Sequence, residues 1–345
     1  MTFPEFANHI GGKSWSPRIG TPLGATTWVR KGIPWLKYYF DLPEISSAFS
    51  SEIGGTIAWG GRLGSKLTKA IAAARGLPHW HLEDGFLRSL GLGKTGTLPL
   101  SIVADDLGLS VNAARASRLE RLIAEAGAAD VESGALIRDA VVQNRLSKYN
   151  HLPHNPPSLE RTFKRRLLLI DQVVGDVSVG RALGSAASFE RMLDDALSSG
   201  AQCVVRTHPD VLAGYRKGYM TEAAAIRTGV ILSAEPVSVA SMLDVVDEVW
   251  TVSSQFGFDA LLRGIPVRCY AAPFYAGWGL TDDRMGRRGK AAIAQRRQVV
   301  RRVDHLAAAA FSLYPMYRNP SNWKPIDVFD AIDLILAGQR CPSQG

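Results

Sequence analysis

Residues 165–176 read RRLLLIDQVVGD. The apolar run Leu167–Ile170 is entered from a basic pair and stops abruptly at Asp171-Gln172. A short run that is apolar at every position describes a strand buried on both faces, as in a parallel sheet covered by helices. In open α/β sheets, ligands sit beyond the carboxyl ends of the strands. On this reading Asp171 lies at a cleft.

Outward from that strand the α/β alternation continues in both directions. Downstream come a helix over Ser188–Ser198, a strand Gln202–Arg206 ending at Thr207-His208-Pro209, a strand Val230–Leu232 and a helix around Ser238–Leu243. A strand Glu248–Val252 ending in Ser253-Ser254, a helix Phe256–Arg263 capped by Gly264 and a strand Pro266–Tyr270 complete the half. Upstream, Thr56–Gly60, the helix former Lys66–Arg75 and the strand His79–Leu82, closed by Glu83-Asp84-Gly85, make a βαβ pattern and predict a parallel sheet. Ser101–Asp106 reads as a third strand ending in acids. Ser117 with Glu120 reads as a capping box opening a helix to Ala129, and a further amphipathic helix covers residues 133–150. His151–Ser158, HLPHNPPS, breaks all regular structure and sets the domain boundary. The chain thus divides into an N-terminal α/β half (1–155), a C-terminal α/β half (156–315) and a terminal helix and tail (316–345), with two Rossmann-like parallel sheets facing a central cleft. Residues 1–50, including Trp15, Trp28, Trp35, Tyr38, Tyr39 and Phe40, are expected to pack as an irregular arm on the first half.

A chain of 345 residues with 46% hydrophobic and 21% charged content has ample material for two cored halves. It holds no apolar run long enough to cross a membrane, and MTFPEFANHIGGKSW lacks the basic start and apolar core of a secretory signal. Cys203, Cys269 and Cys341 form no CxxC pair, so neither a disulfide framework nor a metal site is expected, and a cytoplasmic setting fits. The formal net charge is +8, partly concentrated in Arg287, Arg288, Lys290, Arg296, Arg297, Arg301 and Arg302. That run has no interleaved aromatics, which argues against nucleic acid. It reads first as a solvated helix face and second as a weak patch for an anionic membrane surface.

Four stretches carry candidate chemistry. Glu83, Asp84 and Asp171 end strands in different halves, and two carboxyl groups across a cleft suit glycosyl transfer through a covalent intermediate. The same residues equally describe acids capping turns, and Asp105, Asp106 and Asp176 resemble them at this level. Arg206-Thr207-His208-Pro209 places a cation and an imidazole at a strand end, suited to a phosphate or carboxylate, or to a salt-bridged turn. Ser253-Ser254-Gln255 leads into a helix, whose first N–H groups bind phosphate or are merely capped by Ser254. Phe274–Asp283, FYAGWGLTDD, is aromatic and Gly-rich, either a wall for a sugar or base or a packed loop.

Taken together, HLEDGFLRSLGLG (81–93), PLSIVADDLG (99–108), LLIDQVVGDVSVG (168–180), RTHPDV (206–211), TVSSQFGFDALLRGIPV (251–267) and APFYAGWGLTDD (272–283) resemble the capsule polysaccharide biosynthesis and export family, whose best-known members are the KpsC-type proteins. The resemblance runs from about Trp59 to Tyr317 and covers a single module, without a repeat of EDGF or FYAGWG. It implies a GT-B-like fold and a retaining β-Kdo glycosyltransferase that takes Kdo, or another nonulosonic acid, from a CMP-sugar. The implied acceptor is a lipid-linked or oligosaccharide capsule precursor. By the same resemblance Asp171 is the nucleophile, Glu83 the acid/base with Asp84 its rival, and Arg88 the partner of the sugar carboxylate. The resemblance implies that His208, Pro209, Ser253 and Ser254 hold CMP, with Arg206 and Gln255 as further candidate binders. No metal or resident cofactor is implied. The resemblance also implies a cytoplasmic location with peripheral contact to the anionic inner membrane and the export machinery. Asp259 stands where the family has Glu, and Gly108–Ser117 lacks the family's aromatic segment. A rival of another class is a non-catalytic module that binds a CMP-sugar or glycolipid during export.

Overall fold

The computed structural model describes residues 16–61, 63–93 and 96–340, so Trp15 and Cys341 lie outside the described residues. The first part runs β1 (Leu23–Ala25), α1 (Thr27–Gly32), α2 (Leu36–Tyr39), β2 (Ser46–Ser47), β3 (Gly55–Trp59), α3 (Leu63–Ala74), β4 (His79–Asp84), β5 (Ser101–Asp105), α4 (Arg118–Glu125) and α5 (Ala128–Gln143). Residues 151–165 carry no helix or strand. The second part runs β6 (Arg166–Ile170), α6 (Val177–Arg181), α7 (Ala186–Leu197), β7 (Gln202–Arg206), α8 (Pro209–Leu212), α9 (Thr221–Ala225), β8 (Val230–Ser233), α10 (Val239–Leu243), β9 (Glu248–Thr251), α11 (Phe256–Leu262), β10 (Val267–Cys269), β11 (Asp282–Asp283), α12 (Arg287–Ala294) and α13 (Val303–Ala308). A π-helical turn over Ala309–Leu313, β12 (Pro315–Tyr317) and α14 (Val328–Arg340) close the chain.

The apolar run that opened the reading is β6, and all of its residues are buried. It is central in a parallel sheet of order β8-β7-β6-β9-β10-β11. This is the doubly wound layout: the chain leaves β6 to one side and returns at β9 on the other, so a crevice opens between their carboxyl ends. The other sheet has the order β12-β5-β4-β3-β1-β2, parallel from β4 to β2. The fold is mixed α/β and GT-B-like.

Three expectations are corrected here. The N-terminal stretch is not an irregular arm: β1 and β2 extend the first sheet, and Leu23, Leu36, Tyr39 and Phe40 are core residues. Pro22 and Gly24 hide the strand signal, and Gly24 is needed because a Cβ there would meet Ile53 Cδ1 at 2.6 Å. The third strand, β5, is antiparallel to β4, with Asp105 opposite His81 and Val103 opposite Glu83. Its terminal acids therefore run back, away from the Glu83 end of β4. Finally, the chain does not leave the second part at residue 315 for a separate tail: β12 pairs with β5 in the first sheet. One hydrophobic core runs through both parts, joining Val103, Leu119 and Ile137 to Leu168, Val249 and Phe258. The aromatic pairs Phe86–Phe258 and Phe86–Phe274, with centroids 5.8 and 4.9 Å apart, sit at that junction.

Candidate active site

At the crevice between β6 and β9 the side chain of Gln172 ties the two strand ends together. Its Oε1 accepts from the Ser253 amide and the Ser253 hydroxyl, each at 3.1 Å. Its Nε2 donates to Asp176 Oδ2 at 3.1 Å and to Ser178 Oγ at 3.2 Å. Ser178 Oγ lies 3.3 Å from Ser253 Oγ. Asp176 caps α6 by accepting from the Ser178 amide at 2.9 Å, and it is exposed. The network presents an aimed carboxylate beside two hydroxyls at the point where such sheets bind ligands.

Asp171, one residue before Gln172, does something else. Oδ1 accepts from the amides of Gln172 (2.8 Å) and Met220 (3.0 Å), and Oδ2 from the Thr221 amide (3.0 Å) and hydroxyl (2.5 Å). Burial raises its pKa against the pull of these bonds. A Cβ on Gly218 would meet Oδ2 at 2.1 Å, so the loop before α9 closes directly over it. Asp171, the residue expected as nucleophile, is a strand-end carboxylate with both oxygens hydrogen-bonded within the chain.

Two predicted cations are likewise committed. Arg88 is 5% exposed, with Nε on Asp84 Oδ1 at 2.7 Å and Nη1 on Ser89 Oγ (2.8 Å) and the Thr97 carbonyl (3.1 Å). Arg206 donates to the carbonyls of Glu235 (2.7 Å) and Val237 (3.3 Å), holding that loop against β7. Neither guanidinium presents an open fork to a sugar carboxylate or a phosphate. Asp84 is taken by Arg88, which leaves Glu83 as the acid of the EDG motif that points elsewhere. By strand alternation Glu83 shares a face with His79 and His81, and Gly60 lies beside it, since a Cβ there would stand 3.3 Å from Glu83 Oε1.

The remaining predicted residues gather at the ends of β7 and β9. His208 caps α8, with Nδ1 accepting from the Asp210 amide at 3.0 Å and Pro209 in the first turn. In the neutral ring this puts the proton on Nε2, as a donor. Ser254 Oγ accepts from the Phe256 amide at 3.2 Å, and Gln255 precedes α11 without a side-chain cap bond. Tyr275 Oη donates to the Ser254 carbonyl at 2.5 Å. Tyr275 and Trp278 are fully buried, so FYAGWG is a packed brace under the serine turn and not a wall of a sugar pocket.

The two sides meet through α6. Arg181 donates to the Gly61 carbonyl at 3.2 Å and accepts from the Ala113 amide at 3.0 Å, so one short helix carries Asp176 at its start and contacts the Glu83 side at its end. A Cβ on Gly61 would meet the Arg181 guanidinium at 1.6 Å. Burial, then Lys69, with Arg181 and Arg115 adding, pushes His81 down to about 4, while its bond to the Gly60 backbone opposes them. The ring is neutral and the rim around it is cationic. Gln172, Ser178, Arg181 and Gly61 were not singled out from sequence. The available signal was the Gln172–Asp176 spacing and the Asp176-x-Ser178 cap; α6 is too short to show a helical period. A recess of about 450 Å³ lined by Arg138, Gln143, Leu262, Arg263 and Val303 lies between α5 and α11 and holds none of these residues.

The expected basic face also changes meaning. Arg296 and Arg297 both bind Glu120, at 2.8 and 3.3 Å, and Arg297 also donates to the carbonyls of Pro273 and Ala276, at 2.7 Å each. Arg301 donates to the Ala124 carbonyl and Arg302 to Asp304. Arg296, Arg297 and Arg301 thus stitch the second part to α4, whose N-terminus Ser117 caps as expected by accepting from the Glu120 amide at 3.2 Å, while the Glu120 carboxylate serves the arginines. Among the described residues no cluster of His, Cys, Asp or Glu could hold a metal ion, and no helix is long and apolar enough to cross a membrane.

The family model described as capsule polysaccharide biosynthesis protein matches residues 55–161 and 154–317. The capsule polysaccharide modification protein LipA of Neisseria meningitidis serogroup B is 40% identical over 297 residues, 84% of this chain and 42% of that protein. The lipopolysaccharide-processing protein LpsZ of Rhizobium meliloti is 34% identical over 303 residues, 84% of this chain and 64% of that protein. The chain thus spans less than two-thirds of these relatives. Among solved structures, the β-Kdo 2,4 transferase of Thermosulfurimonas dismutans KpsC superposes with a TM-score of 0.81 at 33% identity, covering 92% of this chain and 98% of that one. The β-Kdo 2,7 transferase of the same protein shares the fold, with a TM-score of 0.68 at 23% identity over 94% of this chain and all of that one.

Proposed function

Because this chain belongs to the capsule polysaccharide biosynthesis family, we propose that it is a retaining glycosyltransferase that moves Kdo, or a related nonulosonic acid, from a CMP-sugar to a capsule glycolipid or polysaccharide acceptor. The observation that carries this reading is the Gln172 network, which aims Asp176 across the crevice beside Ser253.

On this reading CMP lies over the ends of β7 and β9. The His208 Nε2–H, the Ser253 and Ser254 hydroxyls and the amides entering α11 surround its phosphate, donors that strengthen as charge develops on the leaving group. An oxygen of Asp176 attacks the anomeric carbon, and the carbon–phosphate oxygen bond breaks with its electron pair leaving on CMP. Glu83 then takes the proton of the acceptor hydroxyl as that oxygen attacks the same carbon and releases Asp176. Two inversions retain configuration. Gln172 holds Asp176 in place by donating to its Oδ2.

Intact-mass measurement after mixing with CMP-Kdo tests this. One added sugar is expected, mapping to the peptide containing Asp176, absent from Asp176→Asn and retained by Asp171→Asn if that variant folds. An adduct on Asp171 would reverse the assignment. CMP binding without donor turnover would favour the non-catalytic module.

A further inference from the structure

The donor of the proposed function carries two anions, a phosphate and the carboxylate of its sugar. His208, Ser253, Ser254 and the amides entering α11 are donors for the phosphate. The carboxylate has no such partner yet. Arg88, expected there, commits its guanidinium to Asp84, Ser89 and Thr97, and Arg206 commits its own to two carbonyls. Lys148 is uncommitted. It is half-buried, and among the described residues its ammonium makes no hydrogen bond and no ion pair. Nζ stands 5.7 Å from the centroid of the adjacent Tyr149 ring.

Lys148 lies in the turn after α5. Its carbonyl accepts from the Arg88 amide at 3.1 Å, and Tyr149 pairs with Ser89, so the turn is laid along the EDGF loop. Two residues earlier, the Leu146 carbonyl accepts from Arg263 Nη2 at 2.9 Å, which ties the same turn to the end of α11. The Tyr149 hydroxyl reaches Asp84 and feels the charge of Glu83. Lys148 acts on Asp259, in the first turn of α11 beyond Ser253-Ser254. The Glu83 side and the serine turn thus flank this segment. Asp259 neutralises Lys148 poorly: burial pushes that carboxyl up to about 7, so it is about half protonated at neutral pH. A half-buried ammonium with three donors and no anion is costly to keep. A ligand carboxylate removes that cost and forms charge-assisted hydrogen bonds. We propose, on the transferase reading above, that Lys148 holds the carboxylate of the donor sugar and so selects acidic sugars over neutral ones.

Calorimetric titration of the full chain with CMP and with CMP-Kdo tests this, in an Asp176→Asn background that keeps the donor intact. Lys148→Met preserves the apolar stem and removes the charge, so its melting temperature should hold. It should weaken CMP-Kdo about tenfold or more and leave CMP within about twofold, because CMP has no carboxylate. Lys148→Arg, which keeps the charge, should recover most of the loss. If Lys148→Met melts early, Lys148→Gln carries the same comparison. Equal weakening of the two ligands would put the ammonium on the phosphate and overturns the proposal. CMP-Kdo binding that Lys148→Met leaves unchanged overturns it as well. In both of these cases the parent still binds the donor, so the transferase reading stands. A parent that binds neither ligand overturns both.

Discussion

A carboxylate that accepts four hydrogen bonds has no lone pair to offer a substrate, and one held by a single cap and a single side-chain amide does. Asp171 and Asp176 differ in that way, although both follow the same strand within a few residues. Asp171→Ala should therefore be a folding variant. It strands the donors of Met220 and Thr221 under the loop before α9, at a cost of about 3 kcal/mol read as a lower melting temperature. Asp176→Asn should be a catalytic variant. Asn caps a helix as well as Asp, so its melting temperature should hold, while transfer falls about a thousandfold or more. Thermal melts alongside turnover of CMP-Kdo separate the two. If Asp171→Ala melts like the parent and loses turnover, the roles are exchanged. Residue type could not decide this from sequence, because every strand-end acid looks alike until its donors are known.

At the scale of elements, α6 is where sequence and structure part, whereas α11 falls within a residue of expectation. The strands were legible because apolar runs and their polar stops survive in one dimension: β6, β7 and β9 fall within a residue or two of expectation. Helix α6 was missed because five residues carry no period, and its role depends on Arg181 reaching Gly61 in another element. Gly61→Ala places a Cβ in the Arg181 guanidinium, the far end of a flexible side chain that can swing away. Stability should drop by less than about 1 kcal/mol. Turnover should suffer more, since α6 would lose its contact with the Glu83 side, and CMP affinity should remain. Arg181→Ala added to Gly61→Ala should then cost nothing further in turnover, as expected for one shared contact. In α11, burial pushes Asp259 up to about 7, against the pull of Arg263 and Lys148. A raised carboxyl value means the fold keeps a proton that the unfolded chain releases. This contribution to stability is full below about pH 4 and lost as pH climbs through about 7. Asp259→Asn should flatten that slope, gaining on the parent by at most about 4 kcal/mol between pH 4 and 8 in pH-resolved denaturant melts.

At the scale of the whole molecule, the two halves read from the sequence share one hydrophobic core. The breaker at residues 151–158 marks a real gap in regular structure, but two later segments recross it. β12 completes the first sheet by pairing with β5, and Arg296 and Arg297 meet at Glu120, buried in α4. Neither crossing leaves a local trace, because a three-residue edge strand has no measurable period and a run of arginines reads as solvated until its partners are found. Residues 1–155 alone therefore lose the β12 partner of β5 and the α13 and π-turn packing on α4 and α5, exposing Leu119, Leu122 and Ile137. That fragment should show partial helix signal with no cooperative melt, whereas the full chain should unfold in one transition. Glu120→Ala in the full chain should lower that transition by about 3–5 kcal/mol without splitting it, since it leaves buried Arg297 without its anion inside a single core. Calorimetry distinguishes these outcomes. A fragment that melts cooperatively, or a Glu120 variant with two resolved transitions, would mean that the halves fold independently and that the shared core only docks them.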